Sequence, residues 1–183
     1  MKLLISVLVL ALTIPALSAP SRVLLIRHAE KPEDDNAIDL SPIGFQRAQA
    51  LTHLFEIHPE YAVPSLPTEI FAVKYVPNQS SKRSIQTVTP LADQMDLPIQ
   101  TPVVGEQPEE LAADLLENPV HNNQVILIAW KHSTLPKLAK QLGARCASSW
   151  DPNVFDRVWI LDFKGSKVTC VDKPQSVMPG DSL

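Results

Sequence analysis

Two apolar runs constrain this chain more than anything else in it. Val23–Ile26 and, within residues 124–130, QVILIAW, the run from Val125 to Trp130 are continuously hydrophobic instead of alternating. Strands of that kind must be covered on both faces, which a sheet achieves when helices pack on either side. The intervening sequence supplies those helices. Ser41-Pro42 offers an N-cap and a first helical residue, and Ala48, Leu51 and Phe55 share one face, predicting a helix from Pro42 to about Ile57. Residues 68–76 read as a second strand and 84–96 as a helix that Pro90 should kink or begin. A short strand is expected within 97–104. A helix is expected over 108–118, where Glu109 and Glu110 suit its N-terminal dipole, and another over 133–142, ended by Gly143. Residues 154–163 and 167–172 read as a closing hairpin turning at Gly165. The alternation predicts a three-layer α/β/α sandwich, its sheet mainly parallel with an antiparallel edge pair. The final PQSVMPGDSL reads as a loosely ordered tail.

The length of 183 residues suits one domain with a sizeable core. Residues 1–18 have the layout of a signal peptide: Lys2, an apolar stretch from Leu3 to Leu12, and Ala16-Leu17-Ser18 as a small-x-small cleavage site. The expectation is a mature domain over 19–183, secreted or periplasmic, with no stable membrane insertion once the leader is cut. A formal charge of −4 and the lack of any Lys/Arg run give nucleic-acid binding little support. The two cysteines, Cys146 and Cys170, are either a disulfide, which an exported protein can keep, or two buried thiols.

Chemistry gathers where the strands end. Val23–Ile26 runs directly into Arg27, His28, Ala29, Glu30 and Lys31, and the strand at 124–130 is followed by Lys131 and His132. Open α/β sheets bind ligands at the carboxyl edges of their strands, so His28 and His132 are the candidate pair. His53, His58 and His121 read as solvated or hydrogen-bonded surface groups. Arg83 enters the helix at 84–96, where a guanidinium fork and free backbone N–H groups can both meet an anion. Spacings typical of metal ligands, of a P-loop, of GxGxxG and of a G-x-S-x-G elbow are all missing from the sequence. Two imidazoles and two guanidiniums suit phosphoryl transfer to and from histidine, on a small phosphomonoester, with neither metal nor cofactor.

The segments LLIRHAEK, LSPIGFQRAQAL, SKRSIQTVTPLADQM and VILIAWKH together resemble the histidine phosphatase (phosphoglycerate mutase-like) superfamily. That resemblance implies an α/β/α sandwich, His28 as the phosphorylated nucleophile, and Arg27, Arg83 and His132 completing a phosphate pocket. The implied activity is that of an exported, metal-independent phosphomonoesterase. The alternative is a phosphate- or phosphosugar-binding protein of the same fold with weak or no turnover. Ala29 and Ser133 stand where many members have glycine. The family's proton donor falls between the second arginine and the second histidine, where Glu106, Glu109 and Glu110 all lie; Glu106, in a predicted loop, is preferred. Lys131 occupies a place that is acidic in some relatives, and either adds charge to the pocket or is a solvated strand end.

Overall fold

A computed structural model describes residues 19–34 and 36–182; the leader expectation falls on residues outside that range. Six strands form one sheet: β1 (Arg22–Arg27), β2 (Glu69–Ala72), β3 (Ile99–Gln100), β4 (Val125–Trp130), β5 (Arg157–Lys164) and β6 (Lys167–Pro174). Their order is β3-β2-β4-β1-β5-β6. The first four in that order run parallel, whereas β5 is antiparallel to both β1 and β6, closing the sheet with the expected edge pair.

The helices are α1 (Pro42–Ala50), α2 (Leu54–Ile57), α3 (Arg83–Met95), α4 (Pro108–Glu117) and α5 (Leu135–Gln141). Side chains alternate across a strand, so the two continuous apolar runs feed two cores. On one face Val23, Leu25, Ile126 and Ile128 pack with Leu111 and Leu115 of α4 and Leu135 and Leu138 of α5. On the other, Leu24, Ile26, Leu127 and Ala129 pack with Leu51, Leu54, and Val88 and Leu91 of α3. The result is the three-layer sandwich read from the sequence.

Several boundaries differ from expectation, each for a local reason. The helix begun at Pro42 loosens into a 3-10 turn at Leu51–His53, where the Thr52 hydroxyl donates to the Gln49 carbonyl at 2.7 Å. Pro90 neither starts nor ends α3, which runs through it from Arg83. β2 stops at Ala72, and Val73 and Tyr75 line a cavity beyond the sheet edge. α5 starts at Leu135 with Thr134 at its N-cap, whose hydroxyl makes no cap bond and donates to the Gly105 carbonyl at 2.6 Å. His121 is buried and not at the surface, held between Glu69 and Asp114. Cys146 and Cys170 form a disulfide, with Cα atoms 5.4 Å apart, that ties the segment after α5 to β6.

The largest correction concerns the end of the chain. Over its described residues, 174–182, that tail is not loose: Gln175 is fully buried and Asp181 forms a two-pronged ion pair with Arg47. Its polar composition misled because its polar groups are spent on the protein itself.

Candidate active site

The register of two strands assembles the site. β1 and β4 pair so that Arg27 lies opposite Trp130, and the His28 amide donates to the Trp130 carbonyl at 2.9 Å. His28 therefore leaves the sheet beside the segment carrying Lys131 and His132. α3 fixes the next step of the chain, since the Ala29 amide donates to the Thr87 hydroxyl at 2.8 Å, and that hydroxyl donates to the Arg83 carbonyl at 2.7 Å. One helical turn thus links the backbone just after His28 to the first residue of α3.

Arg27, His28, Arg83 and His132 line one cavity of about 380 Å³, together with Lys31 and Lys131. Among the described residues no carboxylate lines it. Nor do three His, Cys, Asp or Glu side chains come together anywhere among the described residues as a metal site would need.

His28 is 6% exposed, and its Nδ1 lies 2.7 Å from the Ala29 carbonyl oxygen. A carbonyl only accepts, so the proton sits on Nδ1 and the lone pair on Nε2. Burial, and then the charges of Arg27 and Arg83 and the His132 ring, pull its pKa down to about 3, against the opposing pull of the Ala29 hydrogen bond. His132 is lowered in the same direction, first by burial and then by Arg27 and Lys131. Both rings are neutral at neutral pH.

Arg27 is 1% exposed and clamped from behind. Its Nη1 donates to the Pro152 carbonyl and, at 3.2 Å, to that of Val154, while its Cζ lies 3.7 Å from the centroid of the Phe155 ring. Its Nε is buried without a hydrogen-bond partner among the described residues. An N–H group left so is a donor suited to an anion's oxygen. Burial and the facing charge of Arg83 bring its pKa down to about 10, which leaves it cationic.

Glu106 is not among the residues brought to this cavity. Its carboxylate pairs with the Lys131 ammonium on the exposed rim. Lys131 lies over Gly105, where a Cβ would overlap its side chain, and lines the wall shared by this cavity and a neighbouring one of about 510 Å³. Of the two roles open to Lys131, its position is that of a pocket cation. Sequence reasoning missed Phe155, and the Pro152 and Val154 carbonyls, because a backbone acceptor and a distant ring leave no motif.

The class this fold defines is the phosphoglycerate mutase-like α/β/α sandwich. Among solved structures the chain is similar to the protein histidine phosphatase SixA complexed with tungstate, at 12% identity and a TM-score of 0.62, over 84% of this chain and 97% of that one. It is also similar to a phosphoglycerate mutase from Bacillus anthracis str. Sterne, at 12% identity and a TM-score of 0.52, over 87% of this chain and 96% of that one. A mycobacterial glucosyl-3-phosphoglycerate phosphatase matches at 11% identity and a TM-score of 0.51, over 84% of this chain and 97% of that one. At these identities the likeness establishes the fold. No protein-family model matches the sequence, and no curated protein resembles it at a significant level.

Proposed function

We propose that the chain is an exported, metal-independent phosphomonoesterase that works through a phosphohistidine on His28. The observation that carries the reading is the His28 ring itself: buried, neutral, with Nε2 unprotonated, in a cavity lined by Arg27, Arg83, Lys31 and Lys131. Nε2 attacks phosphorus, an N–P bond forms, and the P–O bond to the leaving group breaks with the electron pair going to that oxygen. Arg27 and Arg83 offset the charge on the phosphoryl oxygens, and His132 completes the pocket. Water then attacks phosphorus, the N–P bond breaks, and inorganic phosphate leaves with His28 neutral again.

The leaving group has the neighbouring cavity of about 510 Å³, reached past Arg83 and Lys131. No carboxylate lines that cavity either, among the described residues. A proton for the departing oxygen must come from the rim, where Glu106 is the acid we assign, once it has left its Lys131 pairing and taken up a proton from solvent. Alkoxides need that proton and aryl phenolates hardly do, so aryl phosphates should turn over roughly a hundredfold faster than a simple sugar phosphate. Glu106→Gln should slow the alkyl substrate further and spare the aryl one; equal effects on both would remove Glu106 from the role.

Incubation with an aryl phosphate tests the main reading. Wild type should yield acid-labile phosphate on His28 and turn over, and His28→Ala should do neither. The lack of a lining carboxylate favours one rival, a binding protein for phosphate or phosphosugars, which would bind inorganic phosphate tightly without turnover in wild type. Export rests on residues 1–18 and is supported by the Cys146–Cys170 bond. A mature N-terminus at Ala19 is the expected finding.

A further inference from the structure

Glu30 and the final segment are the two features the proposed chemistry leaves unused, and Arg47 joins them. Arg47 is buried in α1, one turn beyond its N-terminus. Its Nε donates to Glu30 at 2.8 Å, three residues past Arg27. Nη1 donates to the Gln175 side-chain oxygen at 3.2 Å, and both Nη atoms donate to Asp181, at 3.1 and 2.8 Å. Asp181 in turn accepts the Val177 and Met178 amides, each at 3.0 Å, so its carboxylate also folds the segment it belongs to.

The segment's other contacts lead to the back of Arg27. The Gln175 amide group donates to the Phe155 carbonyl at 3.1 Å and to that of Arg157 at 3.2 Å. The Gln175 backbone N–H donates to the Asp156 carbonyl at 2.7 Å, and the Ser182 amide donates to the Asp156 carboxylate. Phe155, Asp156 and Arg157 are therefore gripped by 175–182. Phe155 and the residues just before it supply Arg27 with the Pro152 and Val154 carbonyls and the Phe155 ring. The route through Phe155 reaches the Arg27 guanidinium by contact, whereas Glu30 acts on it only through its charge.

We infer that residues 175–182 are a strap that sets the position of Arg27, and that Arg47 and Asp181 are the positioning residues that fasten it. The inference rests on the reading of Arg27 as a phosphate ligand. A guanidinium displaced by a fraction of its fork geometry grips phosphate oxygens with one N–H instead of two. A strap that merely held the fold together would, when loosened, reduce the fraction of active protein and so lower kcat at unchanged KM. A strap that aims Arg27 raises KM and the inhibition constant of inorganic phosphate.

The test measures both constants on wild type, Asp181→Asn and Asp181→Glu, with an aryl phosphate as substrate and inorganic phosphate as inhibitor. Asp181→Asn should raise both about tenfold, equivalent to about 1.4 kcal/mol, with the smaller change in kcat, and Asp181→Glu should recover part of the loss. Because coupling is reciprocal, phosphate must also tighten the strap in wild type. Hydrogen exchange at the Val177, Met178 and Ser182 amides should slow at saturating inorganic phosphate by a larger factor than at the Leu97 amide, which donates to the Ala92 carbonyl of α3 and not to the strap. This measurement stands even if the variants fail to fold. Unchanged phosphate inhibition in Asp181→Asn, or exchange at the strap no slower than at Leu97, would overturn the inference while leaving the phosphatase reading intact. A wild type that neither hydrolyses nor binds phosphate would overturn the reading and the strap's purpose together.

Discussion

The His28 ring is kept neutral by its surroundings, and that has a consequence for stability. Its pKa is about 3 in the folded protein, from burial first and then neighbouring charge, against an ordinary 6.5. Between those values the unfolded chain takes up a proton that the folded chain refuses, so stability is lost as pH falls from 6.5 towards 3. His28→Ala removes that contribution. Urea unfolding across this window should give a shallower fall for the variant than for wild type; parallel curves would mean the ring is not held neutral. Gly44 carries a second prediction at this scale. A Cβ there would overlap the Glu30 carbonyl oxygen, because the Ser41 amide and hydroxyl both donate to that oxygen and draw α1 onto it. Gly44→Ala should cost about 1–3 kcal/mol, read as a lower thermal midpoint.

At the scale of elements, the disulfide closes a loop of 24 residues between α5 and β6. Replacing Cys146 and Cys170 together by serine should lower unfolding free energy by about 3 kcal/mol relative to the oxidised wild type, and reduced wild type should fall alongside the variant. The strands were the most legible elements because a continuous apolar run has few uses, and the order of helices followed from capping signals such as Ser41-Pro42. What stayed hidden depended on partners far away in sequence. Thr134 sits at the N-cap of α5, yet its hydroxyl serves Gly105; His121 reads as a surface residue and instead bridges Glu69 and Asp114. Of the site, Arg27, His28, Arg83 and His132 were readable because each sits at an element's end, where the fold class says ligands bind. Glu106 was chosen by position in a loop, and no sequence signal disclosed that its carboxylate would meet Lys131. The tail failed for the same reason as His121: composition reports the polarity of a segment and not what its polar groups bond to.

For the molecule as a whole, the sheet places both cavities at one edge and leaves the charge around them positive although the chain carries a formal −4. Anionic substrates should therefore be drawn in by local field against an acidic background, and kcat/KM for an aryl phosphate should fall as salt is raised. A salt-independent kcat/KM would indicate that the lining cations act only on contact. The central position of β1 carries a further consequence. Its two partners, β4 and β5, are both translated long after it, so an emerging chain exposes an apolar strand with nothing to pair it. His28 is thus among the first groups made and the last to find its surroundings. A growing chain can hold it for most of its synthesis as an ordinary, protonatable imidazole, and its low pKa arises only when the sheet closes around it.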